Sequence, residues 1–357
     1  MSLNQGITGA AAAERRIIRV DDVNLDSRYL SCDDGLSIRS ELVVPLMRQE
    51  RLIGVLDLES TEASAFTLEH ERLLTLLGSY IAVALENSRL FEEARENQSR
   101  LQNDLETARE IQRQLLPTGA REVPGLDLAT AYIPARELGG DFYDLLPYGV
   151  GRLAIANGDV SGKGTAAALY GSLAIGILRE VANDRGESTP AEMLQLLNTR
   201  LLSARLDARF IAMHFAVYDA VLRELTIANA GGTLPLLVRN GEVTEVQVRG
   251  IPLGMLPDLE YDQVTLDLQP GDIVVFASDG IHESTNRDDE EFGIDRLKAL
   301  LSSVQAADPG YLIAQRIVKA TDEHAGVGRP PHDDRTLLVL RFTEEATEDY
   351  SKMPIIY

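Results

Sequence analysis

Hydrophobic and polar positions change period several times along this chain, and each change predicts an element. Residues 41–58, ELVVPLMRQERLIGVLDL, place Val43, Val44, Leu46, Leu52, Ile53, Val55 and Leu56 in two apolar, β-branched runs around a polar turn, which predicts two strands. Ala65-Phe66-Thr67 then leads into a helix, with Thr67 as N-cap, Glu69 and Glu71 in the first turn, and Leu73, Leu74, Leu77, Ile81, Ala84 and Leu85 at helical spacing. From Glu86 to Leu116 the chain stays free of Gly and Pro but turns polar and charged. Leu90, Ala94, Leu101, Leu105, Ala108 and Leu115 leave a sparse, near-heptad stripe, interrupted between Leu101 and Leu105. A lone helix of this composition gains little stability by itself. The stripe therefore predicts pairing with a partner helix in a short, imperfect coiled coil, against the alternative of a solvated connector. Pro117 and Gly119 end it.

From Leu126 onward the pattern is strand-rich. Strands are expected at Asp127–Ile133, Leu153–Ala156, Phe210–Tyr218, Glu224–Ala230, Leu236–Arg239, Tyr261–Leu266, Ile273–Ala277 and Thr336–Phe342. Helices are expected at Gly164–Ala182, Thr189–Ala204, Gly293–Leu301 and Pro309–His324. Runs of strands with interspersed helix pairs predict an antiparallel α+β layer sandwich rather than regular βαβ units.

At 357 residues the chain exceeds one ordinary domain, so two are expected, and a hydrophobic content of 45% supports real cores. The formal net charge is −22, from 56 acidic against 34 basic residues. That argues against a nucleic-acid partner, whose phosphates require clustered Lys and Arg, and against an anionic membrane surface. The single cysteine, Cys32, excludes an intrachain disulfide framework and a cysteine metal site, and its neighbours Asp33 and Asp34 disfavour a thiolate. No apolar run approaches the roughly 18–20 residues of a membrane span, and the opening MSLNQGITGAAAAERR has no signal-peptide core, so a soluble, cytoplasmic protein is expected.

The candidate chemistry lies in four short acidic patches: GGDFYD at Gly139–Asp144, GDVSGKG at Gly158–Gly164, SDGIHE at Ser278–Glu283 and HDDRT at His332–Thr336. Each sets an Asp at or near the end of an apolar run, beside Gly or another Asp. Any one of them alone reads as a turn. Four that converge form a site for divalent ions, because clustered carboxylates without a cation repel one another and raise each other's pKa. Oxygen-only ligation suits Mg²⁺ or Mn²⁺, and the scarcity of His and Cys argues against Zn²⁺. A carboxylate bridging two such ions would let a shared water ionise near neutral pH and attack phosphorus. GDVSGKG does not fit a P-loop, since a single residue separates Gly162 from Gly164 and Thr165 follows Gly rather than Lys.

With these patches the chain resembles the bacterial branch of the PPM (type 2C) serine/threonine phosphatases, the SpoIIE/RsbU-like group. The ordered matches are GGDFYDLL, GDVSGKGTAAAL, FAVYD, ANAGGTLPLLVRNGEV, GIPLGML, LQPGDIVVFASDGIHES, EFG and HDDRTLLVLR, spanning roughly Leu105 to Phe342. The resemblance implies an αββα four-layer sandwich with two Mn²⁺ or Mg²⁺ ions between the sheets. Carried over by motif, Asp159 would bridge the ions, helped by the Val160 backbone carbonyl. Asp279 and Asp333 would hold the second ion, and Asp141 would contact the ions directly or through water. Asp334 is the adjacent alternative to Asp333. Arg136, five residues before Asp141, stands where phosphatases of this fold can carry a phosphate-binding Arg; a plain surface Arg is the alternative. One departure is visible: the group often has Gly-His after Asn-Ala, where this chain has Gly231-Gly232. The implied activity is hydrolysis of phosphoserine or phosphothreonine on a signalling protein, with a STAS-type anti-anti-sigma protein as substrate, in sigma-factor and stress signalling. The competing reading is a catalytically weak dimeric scaffold that binds the same partner.

The segment Ile38–Phe91 resembles the C-terminal half of a GAF domain through IRSELVVPL, IGVLDLES, AFTLEHERLLTLL and IAVALENSRLFEE. The earlier helix and strands of such a domain are not legible, which implies a ligand pocket that is incomplete or completed by a partner, its ligand unknown. QNDLETAREIQRQLLP resembles the helix that precedes the phosphatase in this group and transmits sensor state, often within a homodimer. The expected division is a partial GAF-like domain over 1–88, a helical linker over 89–117, the phosphatase domain over 118–344 and a tail over 345–357.

Overall fold

The computed structural model describes residues 5–30, 37–117, 123–184, 188–204, 209–326 and 328–344. Cys32 with Asp33 and Asp34, the helix stop at Gly119, and the tail over 345–357 lie outside the described residues. The chain divides into two compact units, Met1–Asn103 and Asp104–Tyr357.

In the first unit, strands β1 (Ile18–Val20), β2 (Ser40–Arg48) and β3 (Arg51–Ser60) form an antiparallel sheet in that order. The β2–β3 pair is the hairpin expected from residues 41–58, turning through Gln49 at φ 52°. Side-chain alternation assigns the two faces. Val43, Ile18 and Val20 join a small core with Ile7 and Ala11 of helix α1 (Gly6–Glu14). On the other face, Gly78 of helix α2 (Leu68–Leu115) lies so close to Val44 and Leu46 that a Cβ would sit 3.2 Å from each side chain. Helix α1 and strand β1 thus supply elements that the sequence did not reveal.

Helix α2 is a single helix of 48 residues, where the periodicity suggested a change of character at Glu86. Its N-terminus is capped as expected, with the His70 N–H donating to Thr67 Oγ1 at 3.3 Å. Much of its apolar surface is exposed, including Leu73, Leu76, Tyr80, Phe91 and Leu101. At its C-terminal end Leu105, Ala108 and Leu115 become half-buried.

The second unit is a four-layer α+β sandwich. One sheet orders β10 (Glu242–Glu245), β9 (Leu236–Arg239), β12 (Ile273–Ala277), β13 (Arg335–Phe342) and β4 (Leu126–Ile133); the other orders β11 (Gln263–Asp267), β8 (Glu224–Ala230), β7 (Ile211–Asp219), β6 (Arg152–Val160) and β5 (Phe142–Pro147). Every neighbouring pair is antiparallel. Helices α3 (Thr165–Asp184) and α4 (Pro190–Ser203) cover the β5–β8 side, while α6 (Ile294–Ser302) and α7 (Gly310–Ala325) cover the other sheet. Both faces of the central strands are therefore buried. In β13, Leu337 and Val339 point to the α6/α7 layer while Leu338, Leu340 and Phe342 fill the space between the sheets.

Helix α4 starts on a capping box, Thr189 accepting from the Glu192 N–H and Glu192 accepting from the Thr189 N–H. Helix α3 is long and apolar enough by composition to cross a membrane, against the expectation that no such run exists, yet half of it is buried inside this unit. The expected strands and helices are all present, within a few residues at their ends. Strands β5 and β10 and the one-turn helix α5 (Asp279–His282) were not anticipated.

Candidate functional site

The four acidic patches meet at one end of the sandwich. Asp141 immediately precedes β5, Asp159 lies near the end of the adjacent β6, Asp279 opens α5 just after β12, and Asp333 and Asp334 lead into β13. Because β12 and β13 pair in one sheet and β5 and β6 in the other, the two layers each deliver two patches to the same edge.

Asp334 fastens this edge. Its carboxylate accepts from the backbone N–H groups of Ala135 at 2.7 Å, Gly140 at 2.5 Å and Asp141 at 3.4 Å. The loop can come this close because residue 139 is glycine: a Cβ there would collide with the Tyr132 hydroxyl and the Asp334 carboxylate. The Ser278 hydroxyl accepts from the Thr336 N–H at 2.9 Å, which ties the end of β12 to the start of β13. The Thr336 hydroxyl in turn donates to Asp141 Oδ2 at 2.7 Å.

The carboxylates are close enough to disturb one another. Burial, then the charges of Asp159 and Asp334, push Asp141 well above the usual carboxylate range, against hydrogen bonds from Thr336 and Ser278. Burial, then the charge of Asp279, pushes Asp159 up to about 6, with a hydrogen bond to Asp141 acting the other way. Asp279 is raised by burial and by Asp333, against His282, the Gly280 N–H and Lys163. Asp333 is partly exposed, its Oδ2 lying 2.7 Å from Lys163 Nζ. The Val160 side chain is in the core, so its backbone carbonyl, which faces Gly140, is the group left to serve the site.

Among the described residues no three acidic or imidazole side chains stand in ready coordination geometry. The donor chemistry nevertheless fits a hard divalent ion. The set is oxygen-only, its carboxylates are raised by burial and mutual repulsion, and the Asn157 Oδ1 is buried without a partner.

Sequence reasoning missed several residues here. Asn157 shares a strand face with Asp159, two positions on, a period-2 signal that could have found it. Both line a cavity of about 50 Å³ with His214, Gly231, Gly232, Thr233, Ser278 and Asp279, room enough for water. Burial pushes His214 down to about 4, so the imidazole is neutral and its Nε2–H donates to the Thr233 carbonyl at 2.7 Å. Gly232, where the resembling group often has His, packs against this ring, so an imidazole reaches the cavity from β7 instead.

Two further contacts lie between the end of α2 and the site. The Gln112 side chain donates to the Gly139 carbonyl at 2.7 Å and accepts from the Gly139 N–H at 3.3 Å. Arg179 pairs with buried Asp144 at 2.6 Å and donates to the Leu115 carbonyl. Arg136 is exposed, without a hydrogen bond or ion pair among the described residues, and its guanidinium lies near Gly164. With Lys163 and Arg209, whose Nη1 donates to the Ser161 carbonyl at 2.8 Å, it gives the GDVSGKG loop a cationic rim on a strongly acidic protein.

Comparison with known proteins agrees with this geometry. The model of the Stage II sporulation protein E (SpoIIE) family matches residues 149–343, more than half the chain, and a GAF domain model matches residues 1–86. The phosphoserine phosphatase RsbU of Bacillus subtilis is 30% identical over 252 residues, covering 68% of this chain and 71% of RsbU. Among solved structures, the SiaA-PP2C domain of Pseudomonas aeruginosa superposes with a TM-score of 0.60 at 24% identity, over 69% of this chain and 98% of that domain. The RsbU and RsbW domains of Rv1364c from Mycobacterium tuberculosis give a TM-score of 0.56 at 25% identity, over 66% of this chain and 64% of that one.

Proposed function

Since the chain belongs to the SpoIIE family of PP2C-type phosphatases, with a GAF domain at its N-terminus, we propose that it is a metal-dependent protein serine/threonine phosphatase acting on a signalling protein. The observation that carries this reading is the convergence of five aspartates from both sheets beneath a cationic rim. The rim suits a phosphoryl dianion and the carboxylates suit divalent cations, which can promote phosphoryl hydrolysis.

In this reading Asp141, Asp159, Asp279, Asp333 and the Val160 carbonyl hold two Mn²⁺ or Mg²⁺ ions. Bound there, such ions would neutralise the crowded carboxylates and the phosphoryl oxygens and make water acidic enough to attack phosphorus. Asp334 is a positioning residue, since its oxygens are engaged by backbone N–H groups of the loop that carries Asp141. Thr336 and Ser278 orient Asp141 by hydrogen bonding. Arg136 receives the phosphate of the substrate. Neutral His214 and the unpartnered Asn157 oxygen organise the water-sized cavity beside Asp159.

The substrate is a phosphorylated STAS-type anti-anti-sigma protein in the cytoplasm, an assignment supported by the likeness to RsbU, itself named a phosphoserine phosphatase. The exposed apolar stripe of α2 pairs two copies. Gln112 and Arg179 connect the end of that helix to the Asp141 loop and to α3, so helix pairing can bias the site.

The test is phosphate release from the phosphorylated STAS protein, with and without Mn²⁺, by wild type and Asp279→Asn. Mn²⁺-dependent release that disappears in the variant supports the assignment. Stable binding of the phosphoprotein with no release at any Mn²⁺ concentration would favour a scaffold.

A further inference from the structure

Lys163 stands at the tip of the loop joining β6 to α3, between Gly162 at φ +90° and Gly164 at φ +77°, conformations that residues with side chains rarely adopt. The root of the loop is fixed. Ser161 donates its N–H to the Phe210 carbonyl at 2.9 Å and accepts from the Phe210 N–H at its hydroxyl at 3.0 Å. The Ser161 carbonyl also accepts from Arg209. From that root Lys163 crosses to the segment before β13. Its Nζ lies 2.7 Å from Asp333 Oδ2, donates to the His332 carbonyl at 3.0 Å and sits 3.3 Å from His332 Nδ1. Of the five aspartates at this edge, Asp333 is the one with an ion pair among the described residues.

We propose that Lys163 is a tethered competitor for the divalent ion at Asp333: its ammonium occupies the carboxylate until an ion displaces it. The inference rests on the metal-dependent phosphatase reading above and names a control point within it. An ammonium and a divalent ion cannot share one carboxylate oxygen without strong mutual repulsion. The ion pair is partly exposed, 35% at Lys163 and 43% at Asp333, and pairs of that kind are weak. Lys163 therefore lowers the affinity of this position without closing it. Filling of the Asp333 position becomes the weaker of two loading events and the one most sensitive to movement of the loop. Asp159 and Asp141 lack such a counter-ion and load first.

The experiment is a calorimetric Mn²⁺ titration of the full chain, paired with electron paramagnetic resonance of the bound ion. Wild type should show a tighter and a weaker phase. Lys163→Met should tighten the weaker phase about fivefold, roughly 1 kcal/mol, and leave the tighter phase in place. Lys163→Arg should keep the weak phase weak, because the cation remains. Asp333→Asn should lose the weaker phase. Lys163→Gln is titrated alongside, and metal-free melting temperatures check that each variant folds. An unchanged or weakened second phase in both neutral variants, with Mn²⁺-dependent phosphate release intact in wild type, overturns the competitor and leaves the phosphatase. No Mn²⁺ binding by wild type overturns both.

Discussion

Both units crowd acidic side chains together, and they do it in opposite ways. In the first unit, Glu41 of β2 faces Glu59 of β3, with Asp57 next along the same face of the ladder. Strand pairing fixes their spacing, and the nearby cation, Arg28, is taken by Asp26 at 2.7 Å. In the second unit the aspartates sit at the ends of strands and in the segments that adjoin them, Asp159 near the end of β6 and Asp279 at the start of α5, knitted by Asp334, Ser278 and Thr336, with Lys163, Arg136 and Arg209 nearby. Burial raises carboxylates in both places. The second set is gathered from strand ends of both sheets and rimmed by cations. Acid crowding alone marks strain on a fold; crowding joined to converging strand ends and counter-charges marks a place for cations and phosphate.

The sharpest way to break that contrast is to neutralise one residue from each set. Asp159→Asn should cut Mn²⁺-dependent phosphate release by roughly a thousandfold, as removal of a central electrostatic group does. Glu41→Gln should leave it within about twofold, because Glu41 belongs to the unit that does not carry the five aspartates. Equal losses, measured as initial rates on one phosphoprotein, would make the two clusters functionally alike.

Next in size is Asp334. Replacing it with Ala strands three backbone N–H groups of the Asp141 loop, which should cost about 3 kcal/mol and lower the melting point of the second unit by roughly 5–10 °C. Asp333→Ala, beside it but half exposed, should leave melting nearly unchanged while removing activity. The opposite pattern would exchange the roles of the two neighbours. Smaller again is Gln112→Ala, which removes two hydrogen bonds to Gly139, worth about 1 kcal/mol each, and should shift basal phosphate release several-fold. A one-residue insertion at Asn103 should also shift it, by turning the upstream stripe of α2 about 100° relative to Gln112. Unchanged release in both would separate α2 from the site.

Why some of this was legible in the sequence follows from the physics of each part. The strands of the sandwich announce themselves because both faces of β12 and β13 are buried, giving unbroken apolar runs. The aspartates are legible because glycine and acidic pairs punctuate those runs. Strand β5 was hidden because its sequence, FYDLLP, carries buried Asp144, neutralised by Arg179 from a distant helix. Helix α1 was hidden because GITGAAAAE has little amphipathic contrast. The contacts of Lys163, Gln112 and Asp334 join residues far apart in the chain, so no local pattern reports them.

The acidic ladder of the first unit makes the smallest and most specific prediction. Burial, then the charges of Asp57 and Glu59, push Glu41 up to about 8, and burial with Glu59 pushes Asp57 up to about 6. Their ordinary values are 4.5 and 3.8, so the folded unit binds these protons more tightly than the unfolded chain does. Stability from this source is complete below the ordinary values, where both states are protonated, and is lost as pH rises through 6 and on to about 8. Asp57 is exposed on β3, and solvent screens its share, so buried Glu41 carries most of the effect. Melting of the GAF domain should therefore fall between about pH 5 and pH 8 in wild type, while Glu41→Gln flattens the profile and melts higher at pH 8. Asp57→Asn should flatten it less. A wild-type profile already as flat as that of Glu41→Gln would mean that the ladder tolerates ionised Glu41, and the contrast between the two clusters would then rest on the cationic rim alone.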